Sequence, residues 1–367
     1  MNPTVLHLAK WYPNKVEPLL GIFVRKHVLS TKNNFHHKVI SIYNTDDSEN
    51  KITRITNNFE GIEEVVFYYK SGIATKFKVF YKVWKEINSS PVAIIHAHII
   101  SWASTLAYLH SISTKTPFFI SEHWSGYHYK LFLKQNALVK YFKLLTAKKA
   151  KMVFPVSDSL KADMLASGIK ANYQVIGNVV DGEIVERPKN DKFTFVFVGD
   201  LEQKHKNVKG IIEAFSELKN KSKLQLDIIG EGEDKQDYIN LSTNQNSSDS
   251  INFHGYKSNT EVFEYLSKSH VLVLNSYYET FSIICAEALL SGIPVIATKC
   301  GGPESFLDKQ TGLLIDVGNR AQLINAMKEI QSTYETFNPK VLKEKAEVFS
   351  SLKIGIELTK SYNSVLS

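Results

Sequence analysis

Short apolar runs rich in β-branched and aromatic residues alternate with amphipathic stretches along the whole chain. Strands that are apolar on both faces and are each followed by a helix are typical of parallel sheets covered by helices on both sides. The pattern therefore predicts an α/β protein. The expected strands are 4–8, 38–42, 64–69, 92–96, 118–121, 152–156 and 173–176 in the first half, and 193–199, 224–230, 251–254, 270–274 and 293–297 in the second.

Between these two sets lies a polar stretch, 186–192, which contains Pro188 and has no periodicity. We place a domain boundary there, since 367 residues also favour two domains. The predicted fold is two Rossmann-like, doubly wound parallel-sheet domains, 1–185 and 193–345, that face each other across a cleft. The remaining segment, 346–367, is helical in pattern, and we expect it either to pack back across the boundary or to cap the second domain.

One stretch, 87–114, contains no charged residue and is long enough to suggest a membrane-spanning helix. Pro91, three histidines and six serines interrupt it, so a buried strand followed by a helix is the better interpretation. The N-terminus lacks the basic start and apolar run of a signal peptide, and the two cysteines cannot form a disulfide framework. We therefore expect a cytoplasmic protein.

The charge is distributed unevenly along the chain. The net charge is +7, but residues 1–185 carry +10 and residues 186–367 carry −3. Lysines alternate with aromatic residues in two segments of the basic half, 76–85 and 127–151. Either the aromatic residues are core and the lysines solvated, or these segments form a surface for anionic lipid, at the inner face of a membrane. The lysines of that expected surface are Lys76, Lys78, Lys82, Lys85, Lys130 and Lys134.

Nucleic acid is the competing partner for a basic half. Arginine, which makes the bidentate contacts to phosphate and guanine, occurs only four times, and no nucleic-acid-binding motif is present. We therefore expect no nucleic-acid partner.

The most informative segment is 275–297, where a strand is followed by a loop, a helix from about Ser282 to Gly292 and another strand. Such a loop lies at the carboxyl edge of a parallel sheet, where open α/β folds bind ligands. The first amides of the helix offer a site for a phosphate anion. Glu279 stands in the loop and Glu287 lies two turns into the helix. Taken alone, these residues could equally be two solvated glutamates near a helix start.

Other motifs occur in a fixed order with this segment, and together they resemble the retaining glycosyltransferases of family 4, which have the GT-B fold. The similar segments are Tyr12-Pro13 with Gly21-Ile-Phe-Val24, Val92 to His98, Ser121-Glu-His123, Phe197-Val-Gly199 with Lys206, Ile228-Ile-Gly230-Glu-Gly232, Phe253-His-Gly255, Glu279 with Glu287, and Gly301-Gly302-Pro-Glu304. The resemblance runs from about residue 5 to residue 318.

The resemblance implies transfer of a sugar from a UDP- or GDP-linked donor to a glycan or lipid-linked acceptor, by front-face chemistry with retention. The second domain would bind the donor and the first the acceptor. Glu279, His123 and Lys206 are the implied catalytic residues. The implied donor-binding residues are Gly21, Gly230, Gly255, Tyr256, Thr280, Phe281, Ser282, Ile283 and Glu287.

No cofactor or metal is expected. The leaving diphosphate gains negative charge, and metal-dependent transferases neutralise it through an Asp-x-Asp motif, which this chain lacks. Lys206 and the helix N-terminus can supply the positive charge instead. His96 and His98 share one face of a strand and could chelate an ion, but the sequence shows no further ligands near them.

One position departs from the family pattern. The turn after Val198-Gly199 usually carries an arginine that contacts phosphate, and here the residue is Asp200. An acid beside a diphosphate is unfavourable unless it is neutralised. Either Lys204, His205 or Lys209 compensates, or Asp200 turns away.

Two other functions fit the same pattern less well. A nucleotide-sugar epimerase or sugar-phosphate synthase would use the same double-Rossmann fold, and a non-catalytic membrane- or nucleic-acid-binding module would explain the basic half. A nicotinamide-dependent oxidoreductase is disfavoured because no complete Gly-x-Gly-x-x-Gly follows a strand.

Overall fold

A computed structural model of the protein describes residues 2–45, 51–184 and 187–366. The chain forms two compact units, Met1–Val179 with Ser351–Ser367, and Val180–Ser350. The chain passes from one unit to the other twice, so the C-terminal helix belongs to the first unit. Val185 and Glu186, where we placed the start of the boundary, lie outside the described residues.

The first unit is a parallel sheet with one antiparallel edge strand. Its sheet order is β3-β4-β2-β1-β5-β6-β7, and the order reverses between β1 and β5. Its elements are β1 (Thr4–Ala9), α1 (Ile22–Leu29), β2 (His36–Asn44), β3 (Ile52–Phe59), β4 (Ile62–Tyr69), α2 (Ile73–Ile87), β5 (Ile94–His98), α3 (Trp102–Thr114), β6 (Phe118–Glu122), α4 (Ala137–Lys149), β7 (Val153–Pro155) and α5 (Asp158–Ala166), with α13 (Ser351–Asn363) at the C-terminus.

The second unit contains a fully parallel sheet in the order β10-β9-β8-β11-β12-β13. Apolar residues cover both of its faces, which is why its strands are nearly continuous apolar runs. Its elements are β8 (Phe193–Val198), α6 (Gln203–Lys206), α7 (Val208–Ser216), β9 (Leu224–Ile229), α8 (Lys235–Asn244), β10 (Ile251–Gly255), α9 (Asn259–Lys268), β11 (Val271–Leu274), α10 (Ile283–Leu290), β12 (Val295–Thr298), β13 (Gly312–Ile315), α11 (Arg320–Thr333) and α12 (Pro339–Glu347).

The predicted strands are confirmed with one exception. Residues 173–176 form no strand, because only Tyr173 makes a bridge, to Val153. Residues 87–114 form β5 and α3 rather than one apolar helix, as expected. Among the described residues, none of the helices combines the length and the apolar character that crossing a bilayer requires.

The C-terminal helix α13 packs on the first unit through its small and apolar residues. Gly355 lies so close to α1 that a Cβ there would be 2.1 Å from the backbone oxygen of Ser30. Ile354, Leu358 and Tyr362 join the buried cluster beneath the sheet.

Candidate active site

The order of the second sheet reverses between β8 and β11, so the loops after these two strands open a crevice at its carboxyl edge. Lys206, after β8, and Glu279, after β11, meet in this crevice. Lys206 Nζ donates to Glu279 Oε1 at 2.6 Å, and the two side chains are 22% and 14% exposed. Two residues 73 positions apart in the sequence therefore form one ion pair at the predicted site.

The loop that carries Glu279 is held from two sides. Its amide donates to the Cys300 carbonyl at 2.9 Å, and its own carbonyl accepts from the Gly302 amide at 2.8 Å. The Ser276 hydroxyl donates to Glu279 Oε1 at 2.7 Å. A Cβ on Gly302 would be 2.4 Å from the backbone of Phe281. The carboxylate is thus fixed before any ligand binds.

Lys206 is held in its charged form. Burial lowers the pKa of Lys206, but electrostatic interactions with Glu279 and, after it, Asp200 and Cys285 raise it. These interactions outweigh burial, so the pKa is raised above its usual value. Asp200 is exposed and close enough to Lys206 to act on it electrostatically. Lys209, one of the residues expected to compensate Asp200, instead lies 3.9 Å from Glu213.

Helix α10 starts immediately after this loop, with Ser282 as its N-cap in a left-handed conformation (φ 71°). The Ser282 hydroxyl donates to Cys285 Sγ and makes no capping bond to the backbone. Since first-turn amides have no acceptor within a helix, those of Ile283 and Ile284 are available to an anion. Thr280 and Phe281 lie in the same loop, and Phe281 is buried against Phe306 and Phe349.

Glu287 is buried on α10, where a carboxylate requires partners. The Asn259 side-chain amide, at the start of α9, donates to Glu287 Oε1 at 3.0 Å. The sequence analysis missed Asn259, although the capping box of Ser258 and Glu261 marks the start of that helix.

The glycines predicted to contact the donor are required by the fold itself. A Cβ on Gly230 would be 1.9 Å from the Gly199 carbonyl oxygen, and one on Gly255 would be 2.8 Å from Glu231 Oε1. Tyr256, beside Gly255, is exposed. Close backbone packing explains Gly230 without a ligand, and the left-handed conformation (φ 69°) explains Gly255, so their donor contacts stay a prediction.

The loop after β10 is preceded by a partly buried polar cluster that was not predicted from the sequence. His254 Nε2 lies 2.9 Å from Asp227 Oδ1, and Nδ1 of the same ring lies 3.1 Å from the Tyr265 hydroxyl. The Asn252 amide also donates to Asp227. These contacts fix the residues that lead to Gly255 and Tyr256.

In the first unit, Gly21 caps helix α1 in a left-handed conformation (φ 65°). A Cβ there would be 2.4 Å from the Trp11 carbonyl oxygen, so the loop after β1 requires a glycine at this position. The same loop is held by a buried carboxylate, Glu64, which accepts from the Tyr12 hydroxyl at 2.7 Å and from both arms of the Arg25 guanidinium at 2.9 and 3.0 Å.

His123 follows β6 and is buried, with its ring 4.4 Å from that of Phe23 and 5.7 Å from that of His27. Burial and the nearby histidines hold its pKa well below the usual range, so the ring is neutral. Neither ring nitrogen makes a hydrogen bond of good geometry among the described residues, although the Asn178 side chain lies close enough to oppose the lowering of the pKa. A neutral imidazole without a partner can still accept or donate a bond to a ligand.

His96 and His98 do have a third histidine beside them, His7 on β1. The three rings are inclined by only 20° to 36° to one another. One nitrogen of each ring lies within 4.8 Å of those of the other two, close enough to hold a metal ion, so the expectation of no metal stays a prediction. The rings also form hydrogen bonds: His7 lies 3.1 Å from His98 and 2.9 Å from His37, and His96 bonds Tyr362 and Ser121.

All six lysines of the expected membrane surface are exposed. On α2 the core is formed by Val79, Val83 and Ile87, whereas Phe77 is 73% exposed. Of the aromatic residues in 76–85, Phe77 is therefore not part of the core, whereas Phe80 and Trp84 are partly buried. The second segment also exposes large apolar side chains, namely Tyr129, Leu131, Leu133, Leu138, Val139, Tyr141 and Phe142.

Two family descriptions match almost the whole chain. Residues 33–183 match Glycosyltransferase Family 4, and residues 183–347 match Glycosyl transferases group 1. The chain belongs to the family 4 glycosyltransferases, and its two parallel α/β units are those of the GT-B fold.

Individual relatives agree with this assignment. The chain is 28% identical over 239 residues to the N-acetylgalactosamine-N,N'-diacetylbacillosaminyl-diphospho-undecaprenol 4-alpha-N-acetylgalactosaminyltransferase of Campylobacter jejuni, a match that covers 61% of this chain and 64% of that protein. It is 29% identical to an uncharacterised glycosyltransferase of Methanocaldococcus jannaschii, with 74% of each chain covered. The match thus spans less than two thirds of the Campylobacter protein.

Solved structures show the same fold. The apo lipopolysaccharide outer core galactosyltransferase WaaB is similar with a TM-score of 0.75, 18% identity, and coverage of 98% of this chain and 99% of that one. Anabaena HepE in complex with UDP and glucose has a TM-score of 0.77, 15% identity, and coverage of 99% and 100%.

Proposed function

We propose that the protein is a retaining glycosyltransferase that uses a nucleotide-diphospho-sugar and needs no metal ion. The observation that carries this proposal is the arrangement at the crevice of the second sheet. There the Lys206–Glu279 ion pair stands beside the N-terminus of α10, and the same helix carries the buried Glu287. HepE, which shares the fold, has been solved with UDP-glucose.

In the proposed reaction the bond between the anomeric carbon and the β-phosphate oxygen breaks, and the oxygen keeps the electron pair. Lys206 Nζ and the amides of Ile283 and Ile284 stabilise the negative charge that develops there. Glu287 accepts hydrogen bonds from the ribose hydroxyls, and Glu279 contacts the sugar. The acceptor hydroxyl then attacks from the face that the diphosphate leaves, and the departing phosphate takes its proton.

A nucleotide panel tests the donor. Thermal unfolding is measured with UDP, GDP, ADP and CDP at millimolar concentration, and one of them should raise the melting temperature. Release of that nucleotide from UDP-glucose, UDP-N-acetylglucosamine, GDP-mannose or ADP-glucose is then followed, with product analysis to distinguish transfer from epimerisation. If none of the four nucleotides shifts the melting temperature, the proposal is wrong.

For the acceptor we propose a glycan or lipid-linked sugar, reached at an anionic membrane surface by the first unit. The exposed apolar side chains of α2 and of 129–142, together with the neighbouring lysines, suit such a surface. Co-sedimentation with phosphatidylcholine vesicles, with and without phosphatidylglycerol, tests this at low and high salt. Binding should need the anionic lipid and weaken with salt, and Phe77→Ser should reduce it while the buried-face control Val79→Ala, if folded, should not. Binding that ignores lipid charge and salt would contradict the proposal.

A further inference from the structure

Glu122 is a carboxylate in the interior of the first unit. It is the last residue of β6, its relative exposure is 0%, and no cation is within ion-pair distance of it among the described residues. A buried carboxylate without a cation is costly unless hydrogen bonds satisfy its oxygens. The groups that donate to it therefore indicate what it does.

Four donors converge on this carboxylate. Oε1 accepts from the backbone amides of His123 at 2.8 Å and Trp124 at 2.9 Å. Oε2 accepts from the backbone amide of Ile100 at 2.9 Å and from the Tyr127 hydroxyl at 2.9 Å. One side chain thus joins the turn that carries His123 to the loop after β5.

The loop after β5 is the point where the order of the first sheet reverses. Ile99 adopts a left-handed conformation there (φ 73°), which is strained for a β-branched residue. Such a conformation persists only where the surroundings impose it. Here the Ile99 amide donates to the Ser121 carbonyl at 2.7 Å, and the next amide, that of Ile100, donates to Glu122.

The outer side of the His123 turn is closed by Trp124. Its ring packs on Tyr127 at 5.0 Å, and Lys143 Nζ of α4 lies 5.1 Å from the ring centroid. A Cβ on Gly126 would be 2.0 Å from the Trp124 ring. The turn is therefore packed against Trp124 on one side and hydrogen-bonded to Glu122 on the other.

We propose that Glu122 is a positioning residue of the transferase: its carboxylate fixes the backbone of His123, and so the imidazole, relative to the loop after β5 at the reversal point of the first sheet. This inference rests on the proposed function and on the catalytic role that the family resemblance implies for His123. Donor nucleotide binding, which we assign to the second unit, should not depend on Glu122.

Glu122→Gln is the diagnostic change because the side chain keeps its size but gains two donors. If the amide nitrogen takes the place of Oε1, it faces two backbone N–H groups. If it takes the place of Oε2, the Tyr127 hydroxyl can rotate to accept, but the Ile100 amide loses its acceptor. Tyr127→Phe is the matched control, since it removes one donor and leaves all three backbone bonds in place.

Turnover is measured as release of nucleotide from the sugar nucleotide that wild type consumes, and binding as the thermal shift given by the free nucleotide. For Glu122→Gln we expect turnover to fall about 100-fold, as for a small misplacement of a catalytic group, with the nucleotide-induced shift unchanged. Tyr127→Phe should retain turnover within about fivefold of wild type, because the three backbone bonds remain. Wild-type turnover in Glu122→Gln, or an equal loss in both variants, would overturn the proposal.

Amide hydrogen exchange in the wild-type protein gives a second test that needs no variant and no substrate. The amides of Ile100, His123 and Trp124 should exchange at least 100-fold more slowly than amides of exposed turns. Exchange as fast as in those turns would refute the anchoring by Glu122. If the amides are protected but no nucleotide binds, the proposed function fails and the anchoring of the turn stands.

Discussion

Glu279→Gln tests two contacts of Lys206 separately: its ion pair with Glu279 and its proposed contact with the donor diphosphate. In the unliganded chain Lys206 is neutralised by Glu279 at 2.6 Å, and a diphosphate must compete with that carboxylate for it. Replacing the carboxylate with an amide leaves a hydrogen-bonding group of the same size but removes the competing charge. Nucleotide binding should then be retained or strengthened, while transfer should be lost.

The cost to stability follows from how deeply the pair is buried. Breaking a fully buried ion pair costs about 3–5 kcal/mol, and an exposed pair contributes less than about 1 kcal/mol. With side chains 22% and 14% exposed, and with the Ser276 bond available to glutamine, we expect a loss of about 1–3 kcal/mol. At about 2–4 °C per kcal/mol for a unit of this size, the melting temperature should fall by about 2–12 °C.

The assay compares three proteins with and without the nucleotide that stabilises wild type best. Glu279→Gln should start lower and show at least the wild-type nucleotide-induced shift, yet release no nucleotide from the sugar nucleotide. Lys206→Met should lose both the shift and the release. If Glu279→Gln keeps wild-type turnover, or loses the nucleotide shift as Lys206→Met does, the assignment of these two residues is wrong.

Three further predictions concern other parts of the molecule. Glu287→Ala should abolish the nucleotide-induced thermal shift, whereas Asn259→Ala, which removes only a partner of that carboxylate, should reduce it; equal shifts in all three proteins would contradict the ribose assignment. Gly302→Ala should displace the loop at Phe281, so nucleotide release should fall about 10-fold or more, as for a misplaced catalytic group. Circular dichroism checks that the variant is folded. Release at the wild-type rate would show that the loop tolerates the methyl group. The first unit should lose stability in acid, because burial holds the pKa of His27 and His37 at about 4, so the unfolded chain binds more protons as pH falls from 6.5 towards 4. Each such histidine lowers the free energy of unfolding by about 1.4 kcal/mol for every pH unit below 6. All four tryptophans lie in this unit, so their fluorescence should show a lower urea midpoint of unfolding at pH 5.5 than at pH 7.5. Equal midpoints at the two pH values would refute this prediction.

Five of the six strands of the second unit could be predicted from the sequence, because both faces of the sheet are buried and each strand is a nearly uninterrupted apolar run. The sixth, β13, was not predicted. The same reasoning failed for β3. Ile52–Phe59 is an exposed antiparallel edge strand with polar residues on both faces, so it lacks the signal of a buried strand. It also failed for α2, where the aromatic side chain of Phe77 resembles a core position but faces outward.

Individual site residues could be proposed from the sequence, whereas their partners could not. Glu279 and Lys206 each stand at the carboxyl end of a predicted strand, and that position is visible in a single sequence. Their pairing depends on β8 and β11 being neighbours in the sheet, which requires the strand order. Asn259 and Ser276 were missed for the same reason, because they act on a glutamate through tertiary contacts. Glu122 did leave a signal, since it is a lone charge that ends an apolar strand.

Glu279 and Glu122 are held by different kinds of partner, and this difference bears on the reaction. In the second unit the carboxylate of Glu279 pairs with Lys206, and this lysine can exchange the carboxylate for a diphosphate when the donor binds. In the first unit Glu122 faces only hydrogen-bond donors that belong to the fold, three of them backbone amides, and nothing in that arrangement can leave when a ligand binds. The former suits a group whose partner changes during a catalytic cycle, and the latter suits a group that must keep its neighbours in place.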